Sequence, residues 1–124
     1  MGSHGGGTAE GQVEILKGLN ISPETMGVPI LSSMEVVQIG VSSNGFPIFV
    51  DKHAAAADGV VVLNRIKQHT EFEGPVESGL MKMMAIGLGK HKGCSEVHKQ
   101  TVNFGYKNVI PEIGFIILKQ LPIL

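Results

Sequence analysis

Apolar residues follow helical spacing toward both ends of the chain and strand-like patterning in the middle. Thr8 is a good helix cap, and Val13, Ile15 and Leu16 form the buried face of a helix running to about Leu19. Ser22-Pro23-Glu24 joins a cap to a proline at the first helical position, so a short helical turn ending at Gly27 follows, with Pro29 to Ser33 as a connector. Two β-rich runs, Glu35 to Val41 and Phe46 to Asp51, flank Ser43-Asn44-Gly45, and the Asn-Gly pair predicts a hairpin. Pro47 makes the second run an edge strand or one that starts late.

Lys52 to Ala57 (KHAAAA) reads as a short helix closed by Asp58-Gly59. The strand expected over Val60 to Ile66 opens with a continuous apolar run, Val60 to Leu63, rather than alternation, the pattern of a central strand buried on both faces of a parallel sheet. Ser78 caps a helix from Gly79 to about Leu88, with Leu80, Met83, Met84 and Ile86 for packing. Gly87 and Gly89 separate it from a second helix, about Lys90 to Gln100. Asn108 caps a last helix with Pro111 in its first turn and an apolar stripe of Ile113, Ile116, Ile117 and Leu121. The pattern predicts an α/β fold: a small mixed or parallel sheet with flanking helices and one β-hairpin, in a single domain spanning 1–124.

Composition narrows the function classes. A 43% hydrophobic content over 124 residues suits one folded domain. A net charge of −1 provides no basic footprint for nucleic acid. One cysteine excludes an internal disulfide framework and fits a reducing, cytoplasmic setting. No leader pattern opens the chain, and the apolar run Ile113 to Leu118 is too short to span a bilayer, so no membrane is expected. The glycine-rich opening and the apolar LPIL ending suggest an internal piece of a larger protein, or a chain that forms a homo-oligomer through exposed apolar ends.

Candidate chemistry gathers between the central run and His98. In open α/β sheets ligands bind beyond the carboxyl ends of strands, which places a site at Asn64 to Gly79, including His69 and three carboxylates. The glycines before Thr8 read as an anion-facing turn beside His4, with a purification-tag remnant as the competing reading of GSH. His4 and His69 are acid/base candidates, since imidazole exchanges a proton near neutral pH. Lys82 is a phosphate ligand, a nucleophile for covalent cofactor attachment, or an ordinary surface lysine. His91, Cys94 and His98 fall on one helix face, a spacing that permits zinc or nickel; the alternative is that Cys94 is simply a small buried residue. His53 reads as a surface histidine with no role.

Four segments, GSHGGGTAEGQ, LNRIKQHTEFEG, SGLMK and GLGKHKGCSEVH, together resemble the lactate racemase family, nickel-dependent enzymes with a pincer-nucleotide cofactor, and more closely its uncharacterised relatives. The resemblance covers nearly the whole chain and implies a fragment of a larger, Rossmann-like N-terminal domain. It implies that His4 is the first catalytic histidine, and TAEGQ, which continues the match, weighs against a tag remnant. His69 corresponds to the second catalytic histidine, preceded here by Gln68 where the family has proline. Lys82 corresponds to the lysine joined to the cofactor through a thioamide, and His98 to the nickel ligand.

The implied mechanism is reversible hydride transfer between a small 2-hydroxy acid and the nickel-pincer nucleotide, with two histidines moving the hydroxyl proton on opposite faces. Departures are specific. The loop from His69 to Ser78 is longer than in the characterised racemases, and Leu80-Met81 replaces Gly-Arg, which leaves the substrate open. The family's cofactor-phosphate loop and second domain are not in this sequence, so the chain alone is expected to be inactive. The alternative from a different class is a non-catalytic, self-associating α/β module that binds an anion or a metal through the glycine-rich turn or the His91, Cys94, His98 face.

Overall fold

A computed structural model describes residues 4–64, 66 and 78–124. Helix α1 (Ala9–Gly18) begins where the Thr8 hydroxyl accepts from the Gly11 N–H. The short α2 (Pro23–Met26) has Ser22 as its cap in a reciprocal box with Thr25, and ends on Gly27 at φ 69°. Both caps follow the sequence expectation because the capping chemistry is local, but the expected buried face of α1 does not: Gln12 is its buried residue, Val13 and Leu16 are half-buried, and Ile15 is exposed.

Strands β1 (Val36–Val41) and β2 (Pro47–Asp51) pair antiparallel, from Val36 opposite Asp51 to Val41 opposite Pro47, with an irregularity between Gln38 and Gly40. Their connection closes through Ser42 N–H to the Phe46 carbonyl and Gly45 N–H to the Ser42 carbonyl, with Gly45 at φ 79°. This is the three-residue hairpin with glycine in the left-handed position. Alternation along β2 buries Ile48 and Val50. Asp51 ends the strand and caps α3 (Lys52–Ala55), accepting from the His53 and Ala54 N–H groups at 2.8 and 3.0 Å.

The fold is α/β, but its sheet is only this two-stranded hairpin among the described residues. The central parallel strand expected over Val60 to Ile66 does not form in its described part. Val60 makes one isolated parallel bridge to Ile123, while Val61, Leu63 and Ile66 are 67, 80 and 85% exposed. A continuous apolar run does not specify its neighbour, and here β1 and β2 pair with each other while helices cover the face of the hairpin.

Helix α4 (Gly79–Lys82) runs into a π turn, Met83–Gly87, rather than continuing as α-helix to Leu88. A side chain on Gly87 would meet the Met83 thioether, which occupies that space. Helix α5 (Lys90–Phe104) outlasts its expected end by a turn, and α6 (Tyr106–Gln120) follows after the single residue Gly105. Gly105, at φ 74°, takes the N-cap position expected of Asn108, so Pro111 is the sixth helical residue and not in the first turn. Its ring removes one helical hydrogen bond.

The core is built from Ile48 and Val50 of β2, Met84 and Ala85 of the π turn, Val97 of α5, and Val109, Ile110, Ile113, Ile117 and Leu121 on or just after α6. The predicted α6 stripe is borne out, as is Met84 as a core residue, whereas Leu80 is 53% exposed. No described helix is long and apolar enough to cross a membrane.

One core position is polar. Gln100 is fully buried, and neither its amide nitrogen nor its oxygen has a partner among the described residues. An unpaired buried amide costs about 1–3 kcal/mol. Gln100→Met, nearly isosteric, is therefore expected to raise stability by about 1 kcal/mol or more in urea unfolding. A lowered midpoint would show that the amide is satisfied, for instance by an internal water.

Candidate functional site

Of the four expected site residues, His4, Lys82 and His98 are described, and His69, with the loop from Lys67 to Glu77, lies outside the described residues. His4 is exposed and leads into a turn, Gly5–Gly7, whose three φ values are 67, 67 and 69°. L-residues avoid that region, so three successive glycines are a conformational requirement here. The turn closes by Gly7 N–H donating to the His4 carbonyl and Thr8 N–H to the Gly5 carbonyl, both at 3.3 Å.

It also lies directly on the first turn of α1. A Cβ on Gly11 would be 2.0 Å from the Gly5 oxygen, and the Thr8 hydroxyl donates to that same oxygen at 3.1 Å.

Beside the α1 N-terminus is a shallow cavity of about 530 Å³ whose lining includes Thr8, Glu10, Ser32 and Glu35. A hydrogen bond from Lys52, reinforced by its charge, holds the Glu35 carboxyl below the usual range. Two carboxylates thus border the place where an anion was expected, and their charge opposes one.

Lys82 is half-buried at the end of α4, immediately before the π turn. π turns recur at functional sites because the additional residue in the turn reorients neighbouring side chains.

His98 lies on α5, where a second cavity of about 490 Å³ is lined by His91, Cys94, Ser95, His98, Lys99 and Val102. Its Nδ1 is 2.7 Å from the Cys94 carbonyl and 3.4 Å from the Cys94 Sγ. A carbonyl only accepts, so Nδ1 carries a proton, and the tautomer with that proton has its lone pair at Nε2. In metal sites a hydrogen bond of this kind orients the ligating imidazole, so this ring nitrogen is of a type that fits a nickel ion. Tyr106 packs edge-on to the ring with centroids 6.0 Å apart.

The three-ligand set His91, Cys94, His98 does not form: among the described residues no group of three or more His, Cys, Asp or Glu could hold a metal. Cys94 is 8% exposed, as its reading as a small buried residue anticipated, and the nearest nitrogen of His98 is turned back on the helix backbone. The His4 turn and this helix face do meet. A Cβ on Gly7 would come 3.3 Å from His91 Cδ2. His91 and His98 are then about 10 Å apart along the axis at 1.5 Å per residue.

Sequence reasoning missed three residues that support the turn. Lys90 Nζ donates to Gln12 Oε1 at 3.1 Å and pairs with Asp51 Oδ2 at 3.2 Å, and Gln12 Nε2 donates to the His4 carbonyl at 3.3 Å. Gln12 is 2% exposed, and the Lys90 and Asp51 side chains 12 and 10%. The only local signal was a glutamine on the inward side of α1. The partners are too distant in sequence for any motif to link them.

Residues 1–108 match the family model of the lactate racemase N-terminal domain. No curated protein and no solved structure matches the chain significantly. The match includes the glycine-rich turn, α4, the π turn and all of α5, so the segments that build the site are those the family shares, and the chain belongs to the lactate racemase N-terminal domain family.

Proposed function

We propose that this chain supplies the cofactor-holding part of a 2-hydroxy-acid racemase or epimerase site. The observation that carries the reading is His98, whose Nδ1–H is committed to the Cys94 carbonyl so that Nε2 is the available donor. Family membership supports the remaining roles. Lys82 would hold a nickel-pincer nucleotide covalently through a thioamide, and His98 would ligate the nickel. When bound, that group supplies reversible acceptance of the substrate's C2 hydride.

The chain's own histidines would do the proton work. His4 at the mouth of the glycine turn and His69, nine positions before Ser78 in the sequence, would each take or return the hydroxyl proton, one for each face of the substrate carbon. A group that must give and take a proton near neutral pH is best served by imidazole. In this reading turnover belongs to a longer parent protein with the family's second domain.

The test is intact mass and nickel content after co-expression with the enzymes that make the pincer cofactor. The wild-type chain is expected to carry a covalent adduct with nickel, Lys82→Ala to lose the adduct, and His98→Ala to keep the adduct while losing most of the metal. An adduct that persists in Lys82→Ala would overturn the attachment role. Zinc bound without any adduct, and lost on Cys94→Ala, would favour a non-catalytic metal-binding module instead.

A further inference from the structure

Three consecutive residues at the start of α5 each fix a different part of the molecule. Gly89 packs on β2, where a side chain would come within 3.3 Å of the Phe49 carbonyl oxygen. Lys90 reaches Gln12 of α1 and Asp51 at the end of β2. His91 lies against Gly7 of the glycine turn. Lys90 does this from a left-handed backbone, φ 54°, which a lysine rarely adopts. Such a conformation persists where the surroundings over-determine it, and it clusters at functional positions.

The bonds form one continuous path. Asp51 is fixed by accepting from two α3 amides and by its own N–H, which donates to the Leu88 carbonyl at 2.7 Å. Its other oxygen holds the Lys90 ammonium, the ammonium holds the Gln12 carbonyl oxygen, and the Gln12 amide nitrogen holds the backbone of His4. Because an ammonium only donates, Gln12 must direct its oxygen at Lys90, which leaves its NH₂ for the His4 carbonyl. The amide cannot flip without losing both contacts.

We infer that Lys90 is a positioning residue for His4, acting through Gln12 to hold the turn that carries the imidazole, with Asp51 as its anchor. The inference deepens the proposed function and rests on its assignment of His4 as a proton shuttle. Neither Lys90 nor Gln12 needs to touch substrate.

The experiment compares Gln12→Met and Lys90→Met with the wild-type chain by amide ¹⁵N relaxation. Gln12→Met keeps the bulk on α1 and leaves the Lys90–Asp51 pair intact, so it reads the path even if Lys90→Met folds poorly. The order parameters of Gly5, Gly6 and Gly7 are expected to fall from about 0.8 to below about 0.6 in Gln12→Met, while Val50 and Gly45 in the hairpin keep theirs. Unchanged glycine values, or an equal loosening of the hairpin, would overturn the positioning role. The relaxation needs no substrate, so it separates the two readings. In the loaded parent protein the same variant is expected to lower kcat about tenfold or more with little change in KM. A loosened turn in a protein whose turnover survives His4→Ala would overturn the shuttle assignment and leave only the mechanical part of the path.

Discussion

Gly11→Ala is expected to unseat the His4 turn without unfolding the core. Helix propensity alone argues the other way, since alanine in place of glycine within a helix gains up to about 1 kcal/mol. The clash decides the sign. The new methyl would lie 2.0 Å from the Gly5 oxygen and 2.8 Å from the Gly5 carbonyl carbon, both backbone atoms that no rotamer change can move. The approach is mutual, since a Cβ built on Gly5 would meet the Gly11 carbonyl carbon at 2.3 Å.

The turn must therefore lift off, taking with it the Thr8 to Gly5 contact and the Gln12 bond to His4. Those losses are about 1 kcal/mol each, enough to cancel the propensity gain and leave the variant less stable by about 1 kcal/mol. Under the role proposed for His4, the effect on catalysis is expected to be larger, because displacing a reacting group by about 1 Å can cost about a hundredfold in rate.

NMR shift changes confined to 4–12, with far-UV dichroism preserved, would show this. Gly18→Ala serves as the control, since its Cβ meets nothing within 4 Å and its φ is not left-handed. That substitution should stabilise by about 0.4–1 kcal/mol. A Gly11→Ala chain with an unmoved turn and a raised Tm would contradict the packing described here.

Ile110→Ala should be the most damaging single truncation. The side chain is fully buried in the cluster between α6, the π turn and β2, so its loss removes transfer energy and leaves a cavity. Such truncations cost about 2–5 kcal/mol. For a chain of this size that lowers Tm by on the order of 10 °C. The helix there has little reserve, since Pro111 next to it already forfeits a backbone bond. Leu63→Ala, at a residue 80% exposed, should change stability by no more than about 0.5 kcal/mol. A thermal melt of the two variants side by side checks both, and similar Tm values would show that the core is not where the buried residues place it.

Features written in short-range chemistry were legible before the structure. The Thr8 and Ser22 caps, the Asn44-Gly45 hairpin and the α6 stripe each depend on residues within a few positions of one another. Val60 to Ile66 was not legible, because an apolar run says that a segment can be buried without naming what buries it. At the site, the sequence placed Cys94 and His98 one turn apart on a helix, and the structure adds the hydrogen bond that fixes which ring nitrogen is available. The Asp51, Lys90 and Gln12 path was invisible for a simpler reason. Lys90 and Gln12 are 78 positions apart, and no local pattern encodes a contact over that distance.

The one-residue joint at Gly105 has a kinetic meaning. Helices α5 and α6 occupy adjoining stretches with a single residue between them, so their mutual contacts require almost no loop closure. Contacts of that kind form early, and the paired helices are expected to act as the folding nucleus, with Ile110→Ala slowing refolding as well as speeding unfolding. The Lys90 to Gln12 link, by contrast, closes most of the chain's length and belongs to the last steps. The scaffold is therefore expected to assemble first, and the Gln12 bond to the His4 carbonyl to gain its support from Lys90 only when the two ends of that long loop have met.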